Sequence, residues 1–294
     1  MALPIYATPL QRLWHYTYLA ICVMVLFFLV MPLIAVIPIS FSSSPFLEFT
    51  PGMIALDPEA FSLRWYRLLI GDCSDPGITT VCSDRWILGA QNSLFIGIIA
   101  TFLATTLGIM AALGLSRPYM PFRKAIMAIM ISPLIVPLII TASSVFFFFA
   151  KLNLVATFTG LIFSHTILGL PFVVITVTAT LVGYDHNLTR AAASLGGGPL
   201  RNFFKVEMPL ILPGVISGAL FAFITSFDEV VIVMFMASLD QLTIPKQMWA
   251  GIRQEISPVI LCMATCLVVL SIFLLTTVEL LRRRSEKLRG IKSR

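Results

Sequence analysis

Tyr184–Gly214, YDHNLTRAAASLGGGPLRNFFKVEMPLILPG, is the one polar segment of any length between hydrophobic runs in the last two thirds of the chain. It reads as helix, turn, helix. Asp185 or Asn187 can cap the first helix by accepting a backbone N–H bond, and Leu188, Ala191, Ala192 and Leu195 repeat at the three-and-four spacing of one apolar face. Gly196, Gly197 and Gly198 supply the left-handed backbone angles that end it. Pro199, whose missing N–H costs nothing in a first turn, starts a second short helix carrying Leu200, Phe203 and Phe204. Pro209 and Pro213 then open a long apolar helix.

Both flanks of this segment belong in a membrane. The 294 residues are 58% hydrophobic and 12% charged, with mean hydropathy +0.96. Soluble domains carry about 25% charged residues, so a soluble globular fold is excluded. A hydrocarbon core about 30 Å thick requires about 20 apolar residues at about 1.5 Å each. Six runs meet that length: Leu19–Ile39, Leu88–Leu115, Ala125–Ala150, Leu161–Val182, Leu210–Ala237 and Pro258–Val278. The first lacks the short apolar core and small-residue cleavage site of a secretory signal and reads as a retained span. The expectation is an all-α integral membrane protein with six transmembrane helices.

Lysine and arginine set the orientation, because positively charged loops stay in the cytoplasm. Placing both termini inside gives the inner segments most of the twenty basic residues: Arg12; Arg117, Arg123 and Lys124; Arg190, Arg201 and Lys205; and the run from Arg282. The outer segments keep Arg64, Arg67, Arg85, Lys151, Lys246 and Arg253. The expected layout is a cytoplasmic N-terminal segment 1–18, a six-helix domain 19–281 with an inner loop 184–209, and a basic cytoplasmic tail 282–294 that is disordered or lies along the membrane. The net charge of +6 is concentrated in that tail beside a span, which points to anionic lipid headgroups and away from nucleic acid.

The outer loop from about Ser40 to Ile87 is the longest and holds an amphipathic stretch, Phe61, Leu63, Trp65, Tyr66 and Leu68, suited to the headgroup level. It also carries Cys73 and Cys82, bracketing a polar loop; in an oxidising compartment they are candidates for a disulfide. Cys22, Cys262 and Cys266 lie in apolar runs as packing residues, and no metal site is expected. Pro133, Pro137 and Pro171 each remove a helix hydrogen bond inside a span, as kinks that serve either as hinges or as static bends. Gly97, Ala104, Gly108, Ala111, Ala112 and Gly114 suit close helix approach.

Asp228 and Glu229 interrupt the fifth run. Counting from Pro213 at about 1.5 Å per residue puts Asp228 about 22 Å across the bilayer, where charge is expensive. Two readings stand: with Ser226 and Thr225 the pair lines the outer mouth of a translocation path and attracts a cationic solute, or it is a structural pair satisfied by hydroxyls or an arginine. Catalysis has no support, because G-x-x-x-x-G-K-[ST], H-E-x-x-H and G-x-S-x-G are all missing from the sequence. No cofactor is expected on this chain, which without a phosphate loop should not bind ATP by itself. His165, isolated in the fourth run, suits a hydrogen-bonded position inside the bundle.

Ala191-Ala192, Leu195-Gly196, nine intervening residues, then Val206, Met208 and Pro209 resemble the EAA loop of permease subunits in binding-protein-dependent ABC importers. Arg190 stands where that family has its leading glutamate, so any ion pair of that glutamate is not carried over. Further on, Ser226, Asp228, Glu229, Val230 and Val231, then Thr243, Pro245, Ser257 and Pro258, resemble the spermidine/putrescine branch, as do Ser132, Pro133 and Pro137 in the third run. The likeness covers about Ile129 to Leu275.

The resemblance implies a type I ABC-importer permease fold and a non-catalytic subunit in a bacterial inner membrane. Its implied partners are an ABC ATPase dimer, a second and homologous permease and a periplasmic solute-binding protein. The implied solute is a polyamine or a related amine, amino-acid derivative, opine or phosphonate. It makes Arg190, Ala191, Ala192, Ser194, Leu195, Gly196 and Gly198 the ATPase-coupling residues. The rival reading is an ion-coupled secondary transporter with a proton site at Asp228 or Glu229, which would ordinarily need more spans or an inverted repeat.

Overall fold

The computed structural model describes residues 8–72, 84–117, 119–254 and 257–288. Cys73 and Cys82 lie outside them. The chain forms two compact units: the first takes the described residues up to Asp72 and from Gly251 onward, the second Asp84–Ala250.

In the first unit, α1 runs Pro9–Ser40, α2 Pro51–Ile54, α3 Arg64–Leu69 and, near the end of the chain, a last helix Val259–Leu288. The first helix therefore begins well before the apolar run at Leu19. Thr8 explains this through a capping box: its Oγ1 accepts from Gln11 N–H and its own N–H donates to Gln11 Oε1 at 3.0 Å. The last helix likewise continues to Leu288, past the start of the basic run, so residues 282–288 are helical and not disordered. The loop after α1 is tied down by aromatic donors. Tyr66 Oη and Ser40 Oγ are 2.7 Å apart, and Trp65 Nε1 donates to Ser42 O at 2.9 Å. The expected amphipathic stretch thus buries Trp65 and Leu68 and folds back on its own unit.

In the second unit, α4 runs Arg85–Leu115, α5 Arg123–Ile135, α6 Leu138–Lys151, α7 Phe158–Val182, α8 His186–Ser194, α9 Pro199–Asn202, α10 Met208–Phe227 and α11 Val231–Met236; α12, Ile244–Gln254, begins in this unit and ends in the first. The last helix of the chain is then α13. Five helices of the described residues are long and apolar enough to cross a membrane.

The third expected span is not one helix. The helices α5 and α6 meet at a 104° bend, because Pro137 forces Val136 into extended backbone (ψ 133°) and cannot donate to the turn before it. Counting the bent pair as one span restores six. Pro171, by contrast, sits inside a continuous α7. The helix of the fifth span ends before its apolar run does, since α10 stops at Phe227 and the chain restarts as α11.

α4, α7 and α10 pack on one another as the core of this unit. Lipid tails are as apolar as leucine, so burying leucine here yields little; close packing must hold the helices together. Glycine allows it. A Cβ on Gly108 would lie 2.6 Å from Val173 Cγ1, and one on Gly218 would lie 2.8 Å from the Val173 Cα and against Thr176 Oγ1. Gly214, one turn earlier, has Thr180 in the same position. This Gly214-x-x-x-Gly218 pair was not singled out in the sequence, whereas Gly114, which was, faces open space. Two apolar clusters follow, one around Leu161, Ile232 and Met236 and one around Val173, Val177, Ile211 and Val215.

Gly218→Ala should therefore destabilise the protein by about 1–3 kcal/mol, because backbone atoms cannot yield. Gly114→Ala should change stability by no more than about 1 kcal/mol. Thermal unfolding of the two purified variants in one detergent checks the contrast.

Candidate functional site

The polar loop singled out in the sequence lies at one end of α7 and α10. Asp185, not Asn187, caps α8, its Oδ1 accepting from Asn187 N–H at 2.9 Å. At the other end Gly196 adopts φ +83°, Gly196 N–H donates to Ala193 O and Gly197 N–H to Ala192 O, both at 3.0 Å. This pair of bonds is the Schellman arrangement, in which a left-handed residue lets the chain satisfy the last helical carbonyls.

Only Gly196 of the three glycines has a left-handed angle, which corrects the expectation that all three supply one. Gly197 is there for space, because a Cβ would sit 2.8 Å from Ala192 O and against the Asn202 side chain. Gly198 meets nothing within 4 Å.

The second short helix is likewise not separate. α9 passes through a π turn at Phe203–Glu207 into α10, so Pro199–Phe227 is one continuous helix. Phe203 packs on the Val173 cluster, whereas Phe204 is exposed and does not anchor the loop.

α8 buries no residue. Arg190 and Ala191 are exposed, Ala192 is half-buried, and Ser194 turns its hydroxyl back to Arg190 O at 3.1 Å. The expected apolar face is solvent-facing: Leu188, Leu195 (89% exposed) and Leu200 (75% exposed) stand out from the loop.

At the other end of the unit, the acidic pair separates. Asp228 is exposed. Glu229 is buried, and its Oε1 accepts from Ile232 N–H at 2.7 Å, capping α11. Ser226 is buried against His165 Nδ1 at 2.8 Å, so the expected hydrogen bond of His165 is made to the residue beside the break. Among the described residues it is a backbone amide, and not a hydroxyl or an arginine, that satisfies Glu229.

The chain beyond α11 is held by groups the sequence reading passed over. Asn92 Nδ2 donates to Asp240 O and Leu242 O, each at 2.9 Å, and Ser93 Oγ accepts from Ile244 N–H at 2.9 Å. Gln241 Nε2 donates to Ala156 O at 3.0 Å, while Ala156 N–H donates to Met236 O at 2.8 Å, pinning Ala156 at φ +60°. Lys246 Nζ reaches Ala237 O at 3.3 Å at the end of α11, and its partial burial lowers its pKa from the ordinary lysine value. One signal was present: Ser238-x-x-Gln241 is a capping-box pattern, and the box forms. Asn92 and Ser93 in an apolar run carried no such signal. Among the described residues no cluster of three or more His, Cys, Asp or Glu could hold a metal ion.

A long-helix unit with a polar loop at one end and a broken helix at the other is the architecture of a multi-span membrane protein. Residues 104–287 match the family of the "binding-protein-dependent transport system inner membrane component", and the chain belongs to that family. It is thus a permease subunit of an ABC importer in the inner membrane, and not an enzyme. It is similar to the spermidine/putrescine transport system permease protein PotC of Shigella flexneri, 28% identical over 90% of this chain and 92% of that one. It is also similar to the putrescine transport system permease protein PotI of Escherichia coli K12, 30% identical over 81% and 80%. The similarity falls in the polyamine branch, as the residues from Ser226 to Pro258 implied.

Two solved structures share the fold. A bacterial ABC transporter involved in the import of the acidic polysaccharide alginate covers 96% of this chain and 99% of its own at TM-score 0.67 and 15% identity. The MetNI methionine ABC transporter in an inward-facing conformation covers 70% and 96% at TM-score 0.50 and 20% identity.

Because Glu229 acts through its oxygen, Glu229→Gln should keep α11 in place, whereas Glu229→Ala should cost about 1–2 kcal/mol. Thermal unfolding of both variants decides it; equal losses would mean that charge matters and the cap does not.

Proposed function

We propose that this subunit imports a polyamine or a related amine, amino-acid derivative, opine or phosphonate, handed over by an extracytoplasmic binding protein and driven by ATP hydrolysis on a partner. The names of its relatives support the solute class. The observation that carries the coupling role is the exposed apolar knob: α8 with Leu195 and Leu200 is held by its own turn yet buries nothing in this chain.

In this reading an ABC ATPase dimer binds ATP and Mg, and a second, homologous permease supplies the other half of the pore. Both termini and the knob face the cytoplasm, as the basic residues imply. Arg190, Ala191, Ala192, Ser194, Leu195, Gly196 and Gly198 form the contact with the ATPase. Small residues suit a short helix seated in a groove, and Arg190 brings a positive charge where the family has a glutamate. When the ATPase dimer closes, the knob moves and the spans beside it reorient.

Of the translocation-path residues, Asp228 is the one whose exposed carboxylate can meet a cation directly. Glu229 and Ser226 shape the helix break that presents it.

Gly196→Asp tests the knob. The space around Gly196 is open within this chain, so the aspartate meets only the left-handed strain of about 1–2 kcal/mol and the partner's surface. The variant should reach the membrane at normal level and lose uptake; normal uptake would count against the coupling role. Asp228→Asn should lower putrescine uptake by about tenfold, equivalent to about 1.4 kcal/mol. Uptake of radiolabelled putrescine into cells carrying the complete system measures both.

A further inference from the structure

We infer that Asn202 is a positioning residue for coupling, clasping Gly197 so that α8 and the α9–α10 helix move as one lever. This rests on the reading that α8 docks on the ATPase. α8 buries no residue, so side-chain packing does not set its angle. Its exit is glycine-rich, and two of the three glycines, Gly196 and Gly198, have nothing within 4 Å of where a side chain would be. A turn of that kind is a pivot, since glycine restricts rotation least.

The middle glycine is different. Asn202 is only 6% exposed in a loop whose neighbours are mostly exposed, its Nδ2 donates to Gly197 O at 3.0 Å, and its N–H donates to Gly198 O at 2.9 Å. Its Oδ1 occupies the place a Gly197 side chain would take. Gly197 in turn donates to Ala192 O inside α8. The bonds therefore run from Ala192 through Gly197 to Asn202 and bridge the pivot.

Asn202 also belongs to the helix that continues through the π turn into α10. The next residue, Phe203, packs on the Val173 cluster. A push on α8 thus reaches the fifth span without being absorbed by bending at the glycines. At its other end α8 is linked to the close of α7 by Tyr184 Oη and Thr189 Oγ1, 2.7 Å apart; that bond leaves the glycine turn free to bend.

The test uses the assembled importer in lipid nanodiscs and proteoliposomes, with the native cysteines replaced by serine. Spin labels at Ala193→Cys and Ile224→Cys report the distance between α8 and α10 before and after ATP and vanadate. With Asn202 present the distance distribution should stay narrow and unshifted, and in Asn202→Ala or Asn202→Asp it should broaden. Putrescine transported per ATP hydrolysed should fall up to about tenfold in those variants, the scale of one lost hydrogen bond, with the ATPase still bound.

A broad distribution in the parent, an equally narrow one in the variants, or an unchanged transport-to-hydrolysis ratio would overturn the clasp. So would failure of both variants to assemble, which would make Asn202 a folding residue. Cross-linking of Ala193→Cys to the ATPase in the parent complex checks the docking reading separately. If the parent does not transport putrescine, the solute assignment fails and the distance measurement still decides the clasp.

Discussion

A bilayer offers the backbone no water to bond with and gives apolar side chains no reason to prefer one another over lipid. Everything in the second unit follows from that constraint. α4, α7 and α10 approach closely because Gly108, Gly214 and Gly218 let threonine and valine side chains of α7, and at Gly218 its backbone, into contact. Where helices stop, a side chain or a turn takes up the freed groups: Thr157 at the start of α7, Glu229 at the start of α11, and the Schellman bonds at the end of α8.

The two ends of this unit solve that problem in opposite ways. Beyond α11 the chain is stitched down by Asn92, Ser93 and Gln241, side chains reaching across long sequence separations to main-chain groups. In the loop between α7 and α10 all the stabilising bonds are local, and the apolar residues that might have anchored it face outward. A segment that is internally rigid and externally unsatisfied suits a part that another molecule holds.

Local chemistry suffices to place the long helices. Hydropathy located every long helix, because a run of about 20 uncharged residues has one stable backbone solution in lipid. Pro137 signalled a disturbance in the third span, but a 104° bend there and an uninterrupted α7 through Pro171 follow from the same residue type. The difference lies in what surrounds each proline. The glycine triplet carried a similar ambiguity: three identical residues serve as a left-handed stop, a gap for a side chain, and open backbone. Helix ends were less legible still, since Thr8 and Leu288 extend helices beyond the apolar runs that define the spans.

The sequence by itself determined that the chain is a multi-span membrane protein and where its spans lie, and Ala191, Ala192 and Gly196 carried a resemblance to a permease loop. Composition, periodicity and motif spacing are local properties, and they suffice for such statements. Only the tertiary structure decided that Glu229 caps a helix while Asp228 stays exposed, that the fifth span starts at Pro199, and that Asn202 closes the glycine turn. Those assignments depend on which groups end within hydrogen-bonding distance, and residues adjacent in sequence can be sent to opposite environments by a single break in a helix.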